Sequence, residues 1–144
     1  MVDGEKAPVS FNVSHSGKHG LIAYAPKGRL GVDVEELLAR RDTELLIDAV
    51  CGPAEQADLA LVHGCHKIRL FYKLWTIKEA LIKAVGVGFS CDVSQFEVPR
   101  ALRGGTAGDF VFPQVPTERW QVQYLGNREF AGAIAYEVGC EARF

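Results

Sequence analysis

Phe71-Tyr72-Lys73-Leu74-Trp75-Thr76-Ile77-Lys78-Glu79-Ala80-Leu81-Ile82-Lys83-Ala84-Val85-Gly86 is the stretch whose reading decides the fold. It reads as one helix, with charges where a core helix should be apolar. At about 100° per residue, Phe71, Leu74, Trp75, Leu81, Ile82 and Val85 fall on one face. Lys78 lands inside that apolar stripe, and Glu79 and Lys83 lie along its edge. A lysine so placed must snorkel, pair or bind something, because an uncompensated buried charge is too unfavourable to persist.

Upstream, residues 21–25 and 30–34 run apolar or alternate on either side of Pro26-Lys27-Gly28, the pattern of two short strands around a turn. The second ends in Gly31-Val32-Asp33-Val34-Glu35. On a strand, Asp33 and Glu35 project from one face and Val32 and Val34 from the other. Asp42 suits an N-cap with Glu44 in the first turn, and the run 45–50 suits a short helix stopped by Gly52. Pro53 can begin another helix, with Glu55 in its first turn. Downstream of Gly86-Val87-Gly88, which supplies a stop, residues 93–98, 110–112, 120–125 and 130–138 read as strands. Gly126-Asn127 is a hairpin turn, and residues 101–108 read as a glycine-rich loop, since no helix pattern follows them.

The 144 residues are most simply one domain, 1–144, with residues 1–10 as an N-terminal extension. Sixteen Lys and Arg against eighteen Asp and Glu leave a net charge of −2, which argues against a nucleic-acid or membrane-surface protein. Any anion site must therefore be local. No apolar run approaches the roughly 18 residues of a membrane span, and Met1 to Lys6 lack the features of a signal peptide, so the cytoplasm is the expected address. Cys51, Cys65, Cys91 and Cys140 show no CxxC spacing, which fits free thiols in a reducing compartment. The group Cys51, His63, Cys65 and His66 lacks the paired spacing of a structural zinc site.

Three polar clusters are candidates for chemistry. Asp33 and Glu35 place like charges side by side, which is tolerable on the wet face of an edge strand but in a cleft calls for a cation. Oxygen ligands of this kind suit Mg2+, which accepts one or two carboxylates and completes its shell with water and phosphate oxygens. Glu79 adds a third carboxylate, one turn from Lys83; the plainer reading of those two is a surface ion pair of roughly 0.3–0.5 kcal/mol. Asn12-Val13-Ser14-His15-Ser16-Gly17 looks like a binding loop whose hydroxyls, imidazole and backbone N–H groups can hold phosphate oxygens. A turn that caps its own backbone with Ser14 or Ser16 explains the same residues.

Ser14-His15-Ser16-Gly17, then Gly31-Val32-Asp33-Val34-Glu35, then Trp75-x-x-Lys78-Glu79-Ala80-x-x-Lys83-x-x-Gly86 resemble, in order and spacing, the 4′-phosphopantetheinyl transferase superfamily. The resemblance covers residues 11–88 and implies an α+β fold, an antiparallel sheet packed with a long central helix and shorter helices. It implies that Asp33, Glu35 and Glu79 hold Mg2+ on the pyrophosphate of coenzyme A, and that Lys83 contacts the phosphate under attack. His15 would touch the same pyrophosphate, with Ser14 beside it. The implied reaction moves the phosphopantetheine arm from coenzyme A onto a serine of an acyl or peptidyl carrier protein and releases 3′,5′-ADP. Charge neutralisation and positioning are what phosphoryl-type transfer needs, and the nucleophile is on the partner. Glu79, directly or through a bound water, is the candidate base; Lys78 either assists phosphate binding or ties the helix to a neighbouring element. Trp75 is expected to pack beside the site rather than touch substrate. The acidic helix implied for the carrier would meet Arg40, Arg41, Lys67 or Arg69.

The motif style resembles that of the second half of the long, two-repeat members. Self-association is expected to cover the apolar surface that a lone half exposes. The alternative function is a noncatalytic coenzyme A or carrier-protein binding module; a metal-dependent phosphohydrolase, with water in place of the carrier serine, is a third reading.

Overall fold

The computed structural model describes residues 9–38, 43–86 and 91–144, and in it one long helix lies against an antiparallel sheet. The order is β1 (Ser10–Ser16), β2 (His19–Ala25), β3 (Leu30–Glu36), α1 (Thr43–Val50), α2 (Pro53–Ala60) and α3 (Cys65–Val85), then a 3-10 turn at Val93–Gln95. α4 (Arg100–Gly104), β4 (Ala107–Phe110), β5 (Trp120–Tyr124) and β6 (Phe130–Glu137) complete it. β3, β6, β5 and β4 form one four-stranded antiparallel sheet in that order, and β1 and β2 form a separate hairpin. The expected α+β architecture is present. The Asp42 cap, the Val87-Gly88 part of the stop, Arg40, Arg41 and residues 1–8 of the N-terminal extension lie outside the described residues.

α3 begins six residues before the expected start and ends at Gly86, whose φ of 90° is a left-handed value that glycine adopts without strain. It is buried on more than one side: Phe71, Leu74 and Leu81 are buried as the stripe requires, and so are Thr76, Ile77, Ala80 and Ala84. The small residues let β3 approach closely. A Cβ on Gly31 would lie 2.3 Å from the Ala80 carbonyl oxygen and 2.5 Å from the Ala84 nitrogen, both backbone atoms that cannot step aside. Gly31→Ala is therefore expected to lower stability by about 1–3 kcal/mol, read from the urea midpoint at unchanged m-value.

β3 is an edge strand, and its free edge is satisfied in an unusual way. The Val32, Val34 and Glu36 N–H groups donate to Asn12 Oδ1 (2.9 Å), Ser14 Oγ (3.1 Å) and Ser16 Oγ (3.0 Å). Every second side chain of β1 thus takes the place of a backbone carbonyl and protects an edge that would otherwise template aggregation. The run 12–17 is a strand and the start of a turn, not a binding loop, and Ser14 and Ser16 serve another strand's backbone rather than their own. Strands 21–25 and 30–34 do form, but β2 pairs with β1 and β3 with β6, so Pro26-Lys27-Gly28 links two sheets. β2 covers the far face of β3, where Ala23, Ala25, Leu30, Val32 and Ile134 share a small core.

Residues 93–98 and 110–112 are not strands throughout. Phe96, Phe110 and Phe112 instead meet in an aromatic cluster with ring centroids 4.8–5.4 Å apart. The expected loop 101–108 contains α4, started by the Pro99 carbonyl, which accepts from the Leu102 and Arg103 N–H groups at 2.9 Å each.

Candidate active site

β3 and α3 bring Asp33 and Lys83 together. The Lys83 ammonium donates to the Val32 carbonyl (3.0 Å) and approaches Asp33 Oδ1 (3.4 Å), while the Ser14 hydroxyl reaches the same Oδ1 from β1 (3.4 Å). Asp33 is 6% exposed, and its Oδ2 is buried with no hydrogen-bond partner among the described residues. Burial pushes its carboxyl up from 3.8 to about 7; Lys83 opposes the rise, and the charges of Glu35 and Glu79 add to it. Lys83 thus pairs with Asp33, whereas Glu79 makes no hydrogen bond or ion pair among the described residues.

The donor set fits a hard cation. A buried carboxylate oxygen lacks a partner, two further carboxylates lie near enough to raise its proton affinity, and every donor is oxygen. Among the described residues no three His, Cys, Asp or Glu side chains are grouped so as to hold a metal ion by themselves as they stand. An ion here would complete its coordination with water or ligand oxygens, as Mg2+ ordinarily does.

Two expected ligand contacts are corrected. Lys78 is fully buried, and its three protons are taken by the Val50 carbonyl (2.7 Å), Glu55 Oε1 (2.6 Å) and the Val93 carbonyl (2.7 Å). It has no donor and no access for phosphate; it ties α3 to the end of α1, to α2 and to the 3-10 turn. Ser14 is buried too, its hydroxyl held between the Val34 N–H and Asp33, so it orients Asp33 rather than facing a ligand. His15 alternates with Ser14 and Ser16 and is exposed on the opposite face of β1, so the structure does not bring it to Asp33. Trp75 is half-buried with its ring edge-on to Phe71 at 5.8 Å, the packing role expected of it. Glu55 was legible only as a first-turn acid after Pro53; that it is the lysine's buried partner had no signal at the sequence level.

A profile of the 4′-phosphopantetheinyl transferase superfamily matches residues 29–135, which include Asp33, Glu35, Glu79 and Lys83. The chain belongs to this superfamily. Over 95 residues it is 39% identical to a putative 4′-phosphopantetheinyl transferase of Synechocystis sp., covering 66% of this chain and 39% of that protein. The 4′-phosphopantetheinyl transferase AcpT of Escherichia coli K12 is 34% identical over 79 residues, 55% of this chain and 40% of its own. A 4′-phosphopantetheinyl transferase of Bacillus subtilis is 34% identical over 88 residues, 61% and 38% of the two chains. The chain thus spans about two fifths of the length of these curated relatives. A crystal structure of a holo-(acyl-carrier-protein) synthase from Bacillus anthracis, in complex with CoA (3′,5′-ADP), superposes with a TM-score of 0.52 at 18% identity. It covers 76% of this chain and 94% of that one, and at this identity it supports the phosphopantetheinyl transferase fold alone.

Proposed function

We propose that the chain performs Mg2+-dependent transfer of the 4′-phosphopantetheine arm of coenzyme A to a serine of an acyl or peptidyl carrier protein, releasing 3′,5′-ADP. The observation that carries this reading is the orphaned Asp33 Oδ2, flanked by Glu35 and Glu79 and held by Lys83, in a member of this superfamily. Asp33, Glu35 and Glu79 would hold Mg2+, which when bound supplies charge neutralisation of the pyrophosphate. Lys83, about one-third exposed and anchored on the Val32 carbonyl, has a proton left to donate to an oxygen of the phosphorus under attack. Glu79, which has no hydrogen-bond or ion-pair partner among the described residues, takes the proton of the carrier serine as the new Oγ–P bond forms and the bond from phosphorus to the 3′,5′-ADP oxygen breaks. Ser14 fixes the Asp33 carboxylate, and His15, on the opposite face of β1, has no part in this arrangement. The cytoplasmic address belongs to the same proposal.

Intact mass of an apo carrier protein, after incubation with this chain, coenzyme A and Mg2+, tests it. A phosphopantetheine adduct should form, vanish with chelator, and form roughly 10²–10⁴-fold more slowly with Glu79→Gln. An unchanged rate in that variant would remove Glu79 from its assigned role.

A second observation bears on assembly. The outer face of the β1–β2 hairpin is apolar and exposed: Phe11 (69%) lies opposite Tyr24 (50%), and Val13 (53%) opposite Ile22 (55%). Cross-strand apolar pairs left in water mark an interface, and we assign this face to a second copy of the chain. Light scattering on a size-exclusion column should show a dimer that Phe11→Lys converts to monomer. A wild-type monomer that shows no Mg2+-dependent coenzyme A binding would favour the noncatalytic module instead.

A further inference from the structure

A cleft of about 370 Å³ opens between α3 and the turn joining β5 to β6, away from the Asp33 cluster. Arg69, Leu70, Lys73, Tyr124, Asn127 and Arg128 line it, and no carboxylate does. Arg69 and Arg128 make no ion pair or hydrogen bond among the described residues. Lys73 is held in place by the Arg103 carbonyl (3.2 Å) and the Gly105 carbonyl (2.5 Å), its ammonium 5.1 Å from the Tyr124 ring centre, so its charge is fixed at the wall. Asn127 Oδ1 accepts from the Glu129 and Phe130 N–H groups (2.8 and 3.1 Å), which leaves its NH2 as the remaining polar group. Burial pushes the Tyr124 hydroxyl up to about 12, so it keeps its proton. The acid of the turn, Glu129, faces His19 at 3.8 Å instead of the cleft.

The polar lining is therefore almost entirely donors, three of them cationic, in a chain whose net charge is −2. Opposed cations without carboxylate partners repel one another unless an anion joins them. Guanidinium forks match phosphate oxygens two at a time, and Leu70 and the Tyr124 ring add an apolar wall. Gly126 keeps the floor open, since a Cβ there would lie 2.0 Å from the Tyr124 hydroxyl oxygen.

We propose that this cleft is an anion site for a phosphate monoester, gripped by Arg69 and Arg128 with Lys73 behind them and its organic group against Leu70. The proposal is independent of the transfer reaction, because it needs neither coenzyme A nor a carrier. Titration of the ¹⁵N-labelled protein with phenyl phosphate, and separately with inorganic phosphate, at constant ionic strength tests it. Saturable shifts of the Gly126 and Asn127 amides at millimolar ligand are expected, tighter for phenyl phosphate. Arg69→Gln and Arg128→Gln should each weaken them about tenfold, and Lys83→Gln should leave them unchanged. Absence of saturable shifts in the wild type, or their persistence in the folded double arginine variant, would overturn the site. Equal affinity for inorganic phosphate would overturn the ester assignment and leave a site for the free anion.

Discussion

Lys78→Met is expected to lower the stability of the fold by about 3–5 kcal/mol, the loss typical of removing one partner of a fully buried ion pair. Lys78 and Glu55 are both at 0% exposure, 2.6 Å apart. With the ammonium gone, the Glu55 carboxylate stays buried, supported only by the Gly52 N–H (2.9 Å) and the Val98 N–H (2.7 Å). The Val50 and Val93 carbonyls lose their donor as well. Methionine restores the volume of the aliphatic stem, so the loss isolates the charge and its hydrogen bonds from cavity formation. Lys78→Met combined with Glu55→Gln should recover part of it, because an unpaired buried amide is less unfavourable than an unpaired buried carboxylate. The exposed Lys67 and Glu44 pair is equally short at 2.6 Å, yet it should contribute under about 1 kcal/mol. Urea denaturation of wild type and the two variants decides: a Lys78→Met variant within about 1 kcal/mol of wild type would mean that the buried pair merely offsets its own desolvation.

That pair also explains what was and was not legible in the sequence. The long helix, the strand with Asp33 and the hairpin turn at Gly126-Asn127 all declare themselves through local pattern: apolar spacing, alternation and turn residues. The charge at Lys78 was visible as an anomaly, but an anomaly has two resolutions, a ligand outside or a partner inside. Choosing between them requires knowing that Glu55, 23 residues away, is brought to the same point. β1 failed for a different reason. Asn12, Ser14 and Ser16 carry loop chemistry, and their role as surrogate carbonyls for the β3 edge exists only once the two strands lie side by side. Period two was there to be read, with Phe11, Val13 and His15 alternating against them, but side-chain polarity outweighed it. The carboxylate cluster was legible in identity and not in state, since nothing in the sequence says that Asp33 is buried while Glu79 has no partner among the described residues.

The state of Asp33 leads to the second large effect: Asp33→Asn should abolish transfer while making the metal-free protein more stable at alkaline pH. The folded chain holds the Asp33 proton up to about pH 7, whereas an unfolded chain releases it near 3.8. Between those values the folded state binds more protons than the unfolded state, so stability falls as pH rises and levels off above about 7. A rise from 3.8 to about 7 corresponds to at most ~4 kcal/mol. Asparagine has no proton to lose, so the variant should lack that slope, match wild type near pH 4 and exceed it at pH 8. Mg2+ separates the two further: a cation that binds the folded carboxylates should raise the wild-type midpoint at pH 8 and leave Asp33→Asn unmoved. Thermal unfolding across pH 4–8, with and without Mg2+, provides the measurement. Parallel pH profiles for the two proteins would show that Lys83 and Ser14 compensate the buried carboxylate fully, and that no cation is needed to hold its charge. A stability gained by deleting the group proposed to hold the metal is the expected signature of a residue retained for chemistry against the interest of the fold.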